Sequence, residues 1–228
     1  MSEELKKLVG ERAADMVKTG TVVGLGTGST AKYAIMRLGE RMRKEGLKIT
    51  GISTSKASSE LAQKEGIPLS TLEEHQHIDL TIDGADEVDP ELNLIKGLGG
   101  ALLWEKIVAS CTKREVIIVD ESKLVDKLGT KAPLPVEVLQ FGWKKVQRTL
   151  EGFGCKPALR MKDGKPFITD SGNYIIDCRF EGIKDPRKLE KDINNIPGVI
   201  ENGLFIGIAD TIVVGSASGV REIKRKKK

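Results

Sequence analysis

TVVGLGTGSTAKYAIMRL, residues 21–38, decides how the rest of the chain is read. Residues 21–25 form a short β-branched and apolar run of the kind a buried strand needs. A turn rich in glycine and threonine follows, and from about residue 29 to 44 the apolar spacing becomes helical. At such a strand-to-helix turn, glycines let backbone amides approach a ligand, hydroxyls add donors, and the helix start favours an anion. Thr27, Gly28, Ser29 and Thr30 therefore read as a phosphate cradle. Gly26-x-Gly28-x-x-Ala31 also fits the dinucleotide fingerprint in its G/A form, and a tight turn that needs glycine only for its backbone would look the same.

The unit recurs along the chain. KITGIS (48–53) precedes a helix at 55–65, HIDLTI (77–82) precedes a loop, EVIIVD (115–120) precedes a turn, and a helix with apolar residues at Leu5, Leu8, Val9, Ala13, Met16 and Val17 leads in. Strands alternating with helices imply right-handed crossovers and a largely parallel sheet. The carboxyl ends of such strands share one edge, so residues 24–30, 53–56, 83–86 and 120–123 are expected to converge there. In open α/β sheets that edge is the ligand site.

From about residue 129 the texture shifts. LPVEV, a helix at 143–152, ALRM, PFITDSGNYIIDCRF and a helix at 186–194 read as antiparallel strands with two helices, and Asp170-Ser171-Gly172-Asn173 as a hairpin turn. ADTIVVG (209–215) reads as a late strand rejoining the main sheet. The expectation is an α/β chain with a parallel-sheet domain over 1–129 and 204–228 and an inserted α+β domain over 130–203.

Composition narrows the function classes. With 39% apolar and 31% charged residues in 228, the chain fits an ordinary soluble globular protein. Its formal charge of +4 resides in the last eight residues, which hold six basic groups and one acid, so the body is near −1 and offers no nucleic-acid face. Those eight residues read as a solvated, frayed terminus. Cys111, Cys155 and Cys178 are far apart and fit reduced thiols, and His75 and His77 have no third ligand candidate nearby. No signal peptide or membrane span is visible, so the setting is expected to be cytoplasmic, without a membrane partner.

Asp83, Asp86, Glu87 and Asp89 put four acids within seven residues just past a strand, around Gly84 and Ala85. They read either as an acidic turn or as carboxylates for proton transfer. Beside a phosphate they demand cations, which Lys96 and Lys123 can supply; Mg²⁺ is thinkable but not required. Lys96-Gly97-Leu98-Gly99-Gly100 carries one cation on a flexible loop into a helix at 101–111. On it, Glu105 has Ala101, Val108 and Ala109 as i−4, i+3 and i+4 neighbours, the less polar side, where it is either a boundary residue or a partly desolvated base. The second strand ends Ser53-Thr54-Ser55-Lys56 without an acid, which argues against NAD; Lys56 leaves an NADP-binding oxidoreductase open.

GLGTGSTA, TIDGADEVD, KGLGGALLWEKI, VDESKLV and LPVEV, in this order and spacing, give the chain a resemblance to the ribose-5-phosphate isomerase A family over essentially its whole length. The resemblance implies a Rossmann-like domain with a ferredoxin-like insert, no metal or cofactor, a sugar-phosphate substrate, and a homodimer or a homotetramer built as a dimer of dimers. It makes Glu105 the proton-transferring base with Asp83, Asp86 and Lys96 beside it. It places Thr27 to Thr30, Asp83 to Asp86, Lys96, Gly97, Leu98, Gly99 and Lys123 on substrate-binding segments, and Lys6 near the phosphate. Leu98 interrupts a run of glycines usual in the family, and Trp104 stands where smaller or polar residues also occur. A non-catalytic sugar-phosphate sensor is the rival from another class; it would need a DNA-binding segment, and a helix-turn-helix is not expected in the stretch before the first strand.

Overall fold

The computed structural model describes residues 2–225. In chain order its elements are α1 (Glu3–Ala14), β1 (Thr21–Leu25), α2 (Ala31–Glu45), β2 (Ile49–Ser53), α3 (Lys56–Lys64), β3 (Leu80–Gly84), β4 (Glu87–Val88), β5 (Leu94–Ile95), α4 (Leu102–Ser110), β6 (Glu115–Asp120) and β7 (Leu134–Val138). There follow α5 (Trp143–Glu151), β8 (Lys156–Leu159), β9 (Met161–Lys162), β10 (Lys165–Pro166), β11 (Tyr174–Arg179), α6 (Pro186–Asn194), β12 (Val199–Asn202), β13 (Leu204–Phe205), β14 (Thr211–Ser216) and β15 (Gly219–Lys224). They form two compact units, one holding residues up to 85, 104–123 and from 208 onward, the other holding 86–103 and 124–207.

The first unit is built on a six-stranded sheet of order β15-β14-β6-β3-β1-β2. Every pairing is parallel except that of β14 with β15. The five parallel strands thus follow the doubly wound order 2-1-3-4-5, whose switch point falls between β1 and β3. Val23, Leu25, Ile82, Val116, Ile118 and Val213 from the strands and Ala13, Ile35 and Leu38 from α1 and α2 are buried in one core. Side chains of the Val/Leu/Ile class contribute about 1.5–3 kcal/mol each when fully buried. The late strand at 209–215 does rejoin the sheet, as β14 against β6.

The C-terminal segment is not frayed through its length. Residues 219–224 pair with β14 from Gly219 to Lys224, and Arg12 on α1 reaches Glu222 at 2.7 Å. Charged side chains are what an exposed sheet edge carries to deter pairing with other chains, so the basic composition suits an edge strand. Lys226, Lys227 and Lys228 lie outside the described residues.

The second unit carries a four-stranded antiparallel sheet of order β12-β7-β11-β8. With α5 after β7 and α6 after β11, this is the split βαββαβ arrangement of a ferredoxin-like fold. Val146 and Leu150 of α5 and Ile193 of α6 pack with Val136, Val138, Ile176 and Cys178 of the sheet. Pro186 opens α6, and Asp185 caps it by accepting the Lys188 N–H at 2.9 Å.

Two features here differ from the reading of the sequence. Residues 86–103, 124–129 and 204–207 belong with the second unit, whereas sequence texture had put them with the first. The physical reason is a three-stranded sheet, β13-β5-β4, together with Glu87, whose buried carboxylate accepts the N–H groups of Gly129, Lys131 and Ala132 at 2.5, 2.5 and 2.7 Å. The tight two-residue hairpin is at Asp163-Gly164, joining β9 to β10 with φ of 52° and 75°. Asp170 to Asn173 instead form a turn leading into β11, held by Glu137, which accepts from Thr169 Oγ1 at 2.8 Å and Asn173 Nδ2 at 2.9 Å.

Candidate functional site

At the switch point of the first unit, β1 gives way to a turn whose backbone is fixed on two sides. The Gly26 N–H donates to Ile82 O at 2.9 Å, and the Thr27 N–H donates to Asp83 Oδ1 at 3.0 Å. The same Asp83 oxygen accepts the Gly84 N–H at 2.7 Å, and Asp83 is only 1% exposed. From the other side come three hydroxyls after β2. Thr27 Oγ1 lies 2.7, 2.8 and 3.0 Å from the hydroxyls of Thr54, Ser55 and Ser58, while Ser58 donates to Gly26 O at 2.7 Å and Thr54 to Leu25 O at 3.0 Å. The hydroxyls of Thr54, Ser55 and Ser58 are thus spent on building the turn.

What the turn leaves unspent matters more. Lys32 and Tyr33 are the first residues of α2 to bond backward, to Gly28 O and Thr30 O at 3.1 Å each. Among the described residues the N–H groups of Gly28, Ser29 and Thr30 have no partner in the chain. Gly28 has φ of 111°, a conformation that L side chains rarely adopt. Successive free amides at the start of a helix form an anion-binding concavity, strengthened by the helix dipole.

Three further candidates belong to this unit. Lys123 closes the one-turn 3₁₀ helix Glu121–Lys123 directly after β6, at the carboxyl edge of the sheet. Beside it, burial acts to raise Asp120, but bonds from Ser122 together with nearby positive charge, that of Lys123 included, hold this carboxyl below its ordinary value. Lys6 donates to Glu3 at 2.7 Å, and Glu3 also accepts from Lys32 and Tyr33 at the start of α2. Bonds from Lys6, then Tyr33 and Lys32, bring the Glu3 carboxyl down to about 2. Glu105 stands in the first turn of α4 and is 6% exposed, as expected from its apolar i+3 and i+4 neighbours. Val108 on the same helix packs with Ile52 and Ile78, and Trp104 lines a cavity of about 470 Å³ together with Ile52, Ser53, Leu72 and Val108.

The second unit holds the remaining candidates. Lys96 is 2% exposed, its N–H donates to Gly203 O at 2.9 Å, and its ammonium lies 5.4 Å from the centre of the Phe205 ring. The Asp86 N–H donates to Ile95 O at 2.8 Å, and Asp86 Oδ2 accepts the Leu98 N–H at 3.0 Å. Asp86 and the loop carrying Gly97, Leu98 and Gly99 are therefore locked to each other. Among the described residues no group of three or more His, Cys, Asp or Glu is arranged to hold a metal ion, and no helix is long and apolar enough to cross a membrane.

A doubly wound α/β sheet with an amide cradle and a buried aspartate at its switch point defines a class of protein that takes up small anionic ligands on its carboxyl edge. Comparison with known proteins narrows this. The family model for ribose 5-phosphate isomerase A (phosphoriboisomerase A) matches residues 50–219. Ribose-5-phosphate isomerase A of Gloeobacter violaceus is 53% identical over 217 residues, covering 95% of this chain and 94% of that one. Among solved structures, ribose 5-phosphate isomerase A from Methanocaldococcus jannaschii superposes with a TM-score of 0.94 at 47% identity, covering 98% of this chain and 100% of that one. A D-ribose-5-phosphate isomerase in complex with phospho-erythronic acid gives 0.96 at 45%, covering 99% and 100%. The chain belongs to the ribose 5-phosphate isomerase A family.

Proposed function

We propose that the chain interconverts D-ribose 5-phosphate and D-ribulose 5-phosphate, the non-oxidative pentose phosphate reaction, with Glu105 as the single proton-carrying base. Family membership carries the activity, since relatives matched over 95% of the chain are named for this aldose–ketose isomerisation. A neighbour bound to phospho-erythronic acid, a four-carbon phosphate, supports a sugar phosphate as ligand.

The reaction moves one proton from C2 to C1 and another between the two oxygens. A carboxylate on one face of a planar cis-enediolate can make the carbon transfer, and Glu105 is buried enough to do so away from bulk water. Lys96 stabilises the enediolate oxygen. The substrate rests as a furanose, so its ring must open first. Asp83, held by two backbone N–H groups, shuttles that proton with Asp86 assisting. The amides of Gly28, Ser29 and Thr30 with Lys123 and Lys6 hold the phosphate, which makes the reacting end effectively intramolecular. A cytoplasmic homodimer or dimer of dimers completes this reading.

The experiment is a coupled assay of ribose 5-phosphate turnover before and after exhaustive EDTA treatment. Full activity after chelation is expected. Loss of activity that Mg²⁺ restores would replace Lys96 with a metal as the stabiliser of the oxyanion. Lys123→Ala is expected to raise KM by about 10-fold with kcat within about threefold, because a phosphate contact remote from the reacting carbons binds substrate and transition state alike. A fall in kcat at unchanged KM would take Lys123 off the phosphate.

A further inference from the structure

The loop after Lys96 is gripped by a side chain that the proposed chemistry does not use. Arg160 directly follows β8, and its Nη1 donates to Gly97 O at 2.9 Å and to Leu98 O at 3.0 Å. Asp177 on β11 holds the other edge of the guanidinium, taking Nε at 2.8 Å and Nη2 at 2.5 Å. The guanidinium carbon lies over the Phe167 ring, 5.8 Å from its centre. The Arg160 side chain is 12% exposed. Only arginine presents enough donors in one rigid plane to hold a carboxylate on one edge and two carbonyls on the other.

In a trans peptide the N–H points opposite the C=O. With the carbonyls of Gly97 and Leu98 both turned toward Arg160, the N–H groups of Leu98 and Gly99 face away from it. Asp86 takes the first, and the Gly100 N–H closes the turn onto Gly97 O at 3.0 Å. Among the described residues the Gly99 N–H has no partner in the chain. Phe167 also fixes Gly100, where a Cβ would come within 2.4 Å of its ring.

We propose that Arg160, clamped by Asp177, is a positioning residue for the isomerisation. It sets two successive peptide planes so that the Gly99 N–H is presented to a substrate oxygen. Arg160 itself touches no substrate. The proposal rests on the reading that the loop from Lys96 to Gly99 binds substrate.

Arg160→Ala, Arg160→Lys and Asp177→Asn test it, with Lys96→Ala run alongside and melting followed for each. Arg160→Ala is expected to lose about 10- to 100-fold in kcat/KM, mostly in kcat, because misplacing a transition-state contact by about 1 Å costs on that order. Arg160→Lys keeps the charge but not the fork and is expected to remain at least about fivefold down. Added ethylguanidinium should restore part of the kcat of Arg160→Ala and leave the parent protein unchanged. A purely structural ion pair would lower the melting temperature without this kinetic split or rescue, and that result overturns the proposal. So does wild-type kcat and KM in Arg160→Ala. If Lys96→Ala also keeps full turnover, the substrate-loop reading falls with it; if Lys96→Ala is inactive and Arg160→Ala is not, only the positioning role falls. Should Arg160→Ala fail to fold, Arg160→Lys and Asp177→Asn decide on the same kinetic split.

Discussion

Glu105→Gln is expected to lower kcat by at least ~10²-fold while KM for ribose 5-phosphate moves less than about threefold. The substitution keeps size and shape at a site that is 6% exposed, so packing around α4 is retained. What it removes is the ability to accept a proton, and a positioned general base is worth about 10²–10⁴-fold. Incubation in deuterated water gives an independent reading: substrate should stop acquiring deuterium at the carbon next to the carbonyl. Turnover near that of the parent protein would remove Glu105 from the role.

The sheet and the common side of its strand ends were legible because they follow from local signals. Residues 21–25, 48–53, 77–82 and 115–120 announce themselves as strands by β-branched runs between turn residues, and parallel connection forces their carboxyl ends to one side. The burial of Glu105 was legible by helical spacing, whereas its role as base came only from the family resemblance. Strand order is a different matter, since nothing in the spacing says that β2 lies outside β1 while β3 lies inside it, and that order is what creates the switch point. The hydroxyls of Thr54, Ser55 and Ser58 stood out as a cluster, but their partner Thr27 is set by the β1–β2 register, which ends with Leu25 opposite Ser53.

The misreadings have the same origin. Glu87 was one of four acids that read either as an acidic turn or as proton-transfer carboxylates, and it is spent on three amides more than forty residues away. Asp163-Gly164 was hidden among lysines, whereas Asp170 to Asn173 carried the stronger turn composition. Arg160 and Asp177 are 17 residues apart in a chain in which 31% of residues are charged, so no pattern singles them out. Only the antiparallel pairing of β8 with β11, which sets Ala158 opposite Asp177, brings them together.

Gly26→Ala is expected to reduce kcat/KM by about 10²-fold through one methyl group. The backbone of Gly26 has no positive φ that would forbid alanine, so the cost comes from space alone. Its Cβ would stand 2.4 Å from Asp83 Oδ1, 2.4 Å from Ile82 O and 2.5 Å from Asp83 Cα. Two of these three are backbone atoms of a central strand and cannot swing aside, so the turn has to retreat. That breaks the Gly26 N–H bond to Ile82 and the Thr27 N–H bond to Asp83, and it carries the amides of Gly28 to Thr30 away from the place where a phosphate would sit. Overpacking of this kind also costs about 1–3 kcal/mol of stability. Because the proposed phosphate cradle and the proposed ring-opening carboxylate share this contact, kcat should fall and KM rise together, unlike the separate effects expected at Glu105 and Lys123. Gly28→Ala provides the contrast: its Cβ meets nothing within 4 Å, and its φ of 111° makes the penalty one of backbone strain. A Gly26→Ala protein with kcat/KM within threefold of the parent would mean that the turn between β1 and α2 does not hold the substrate.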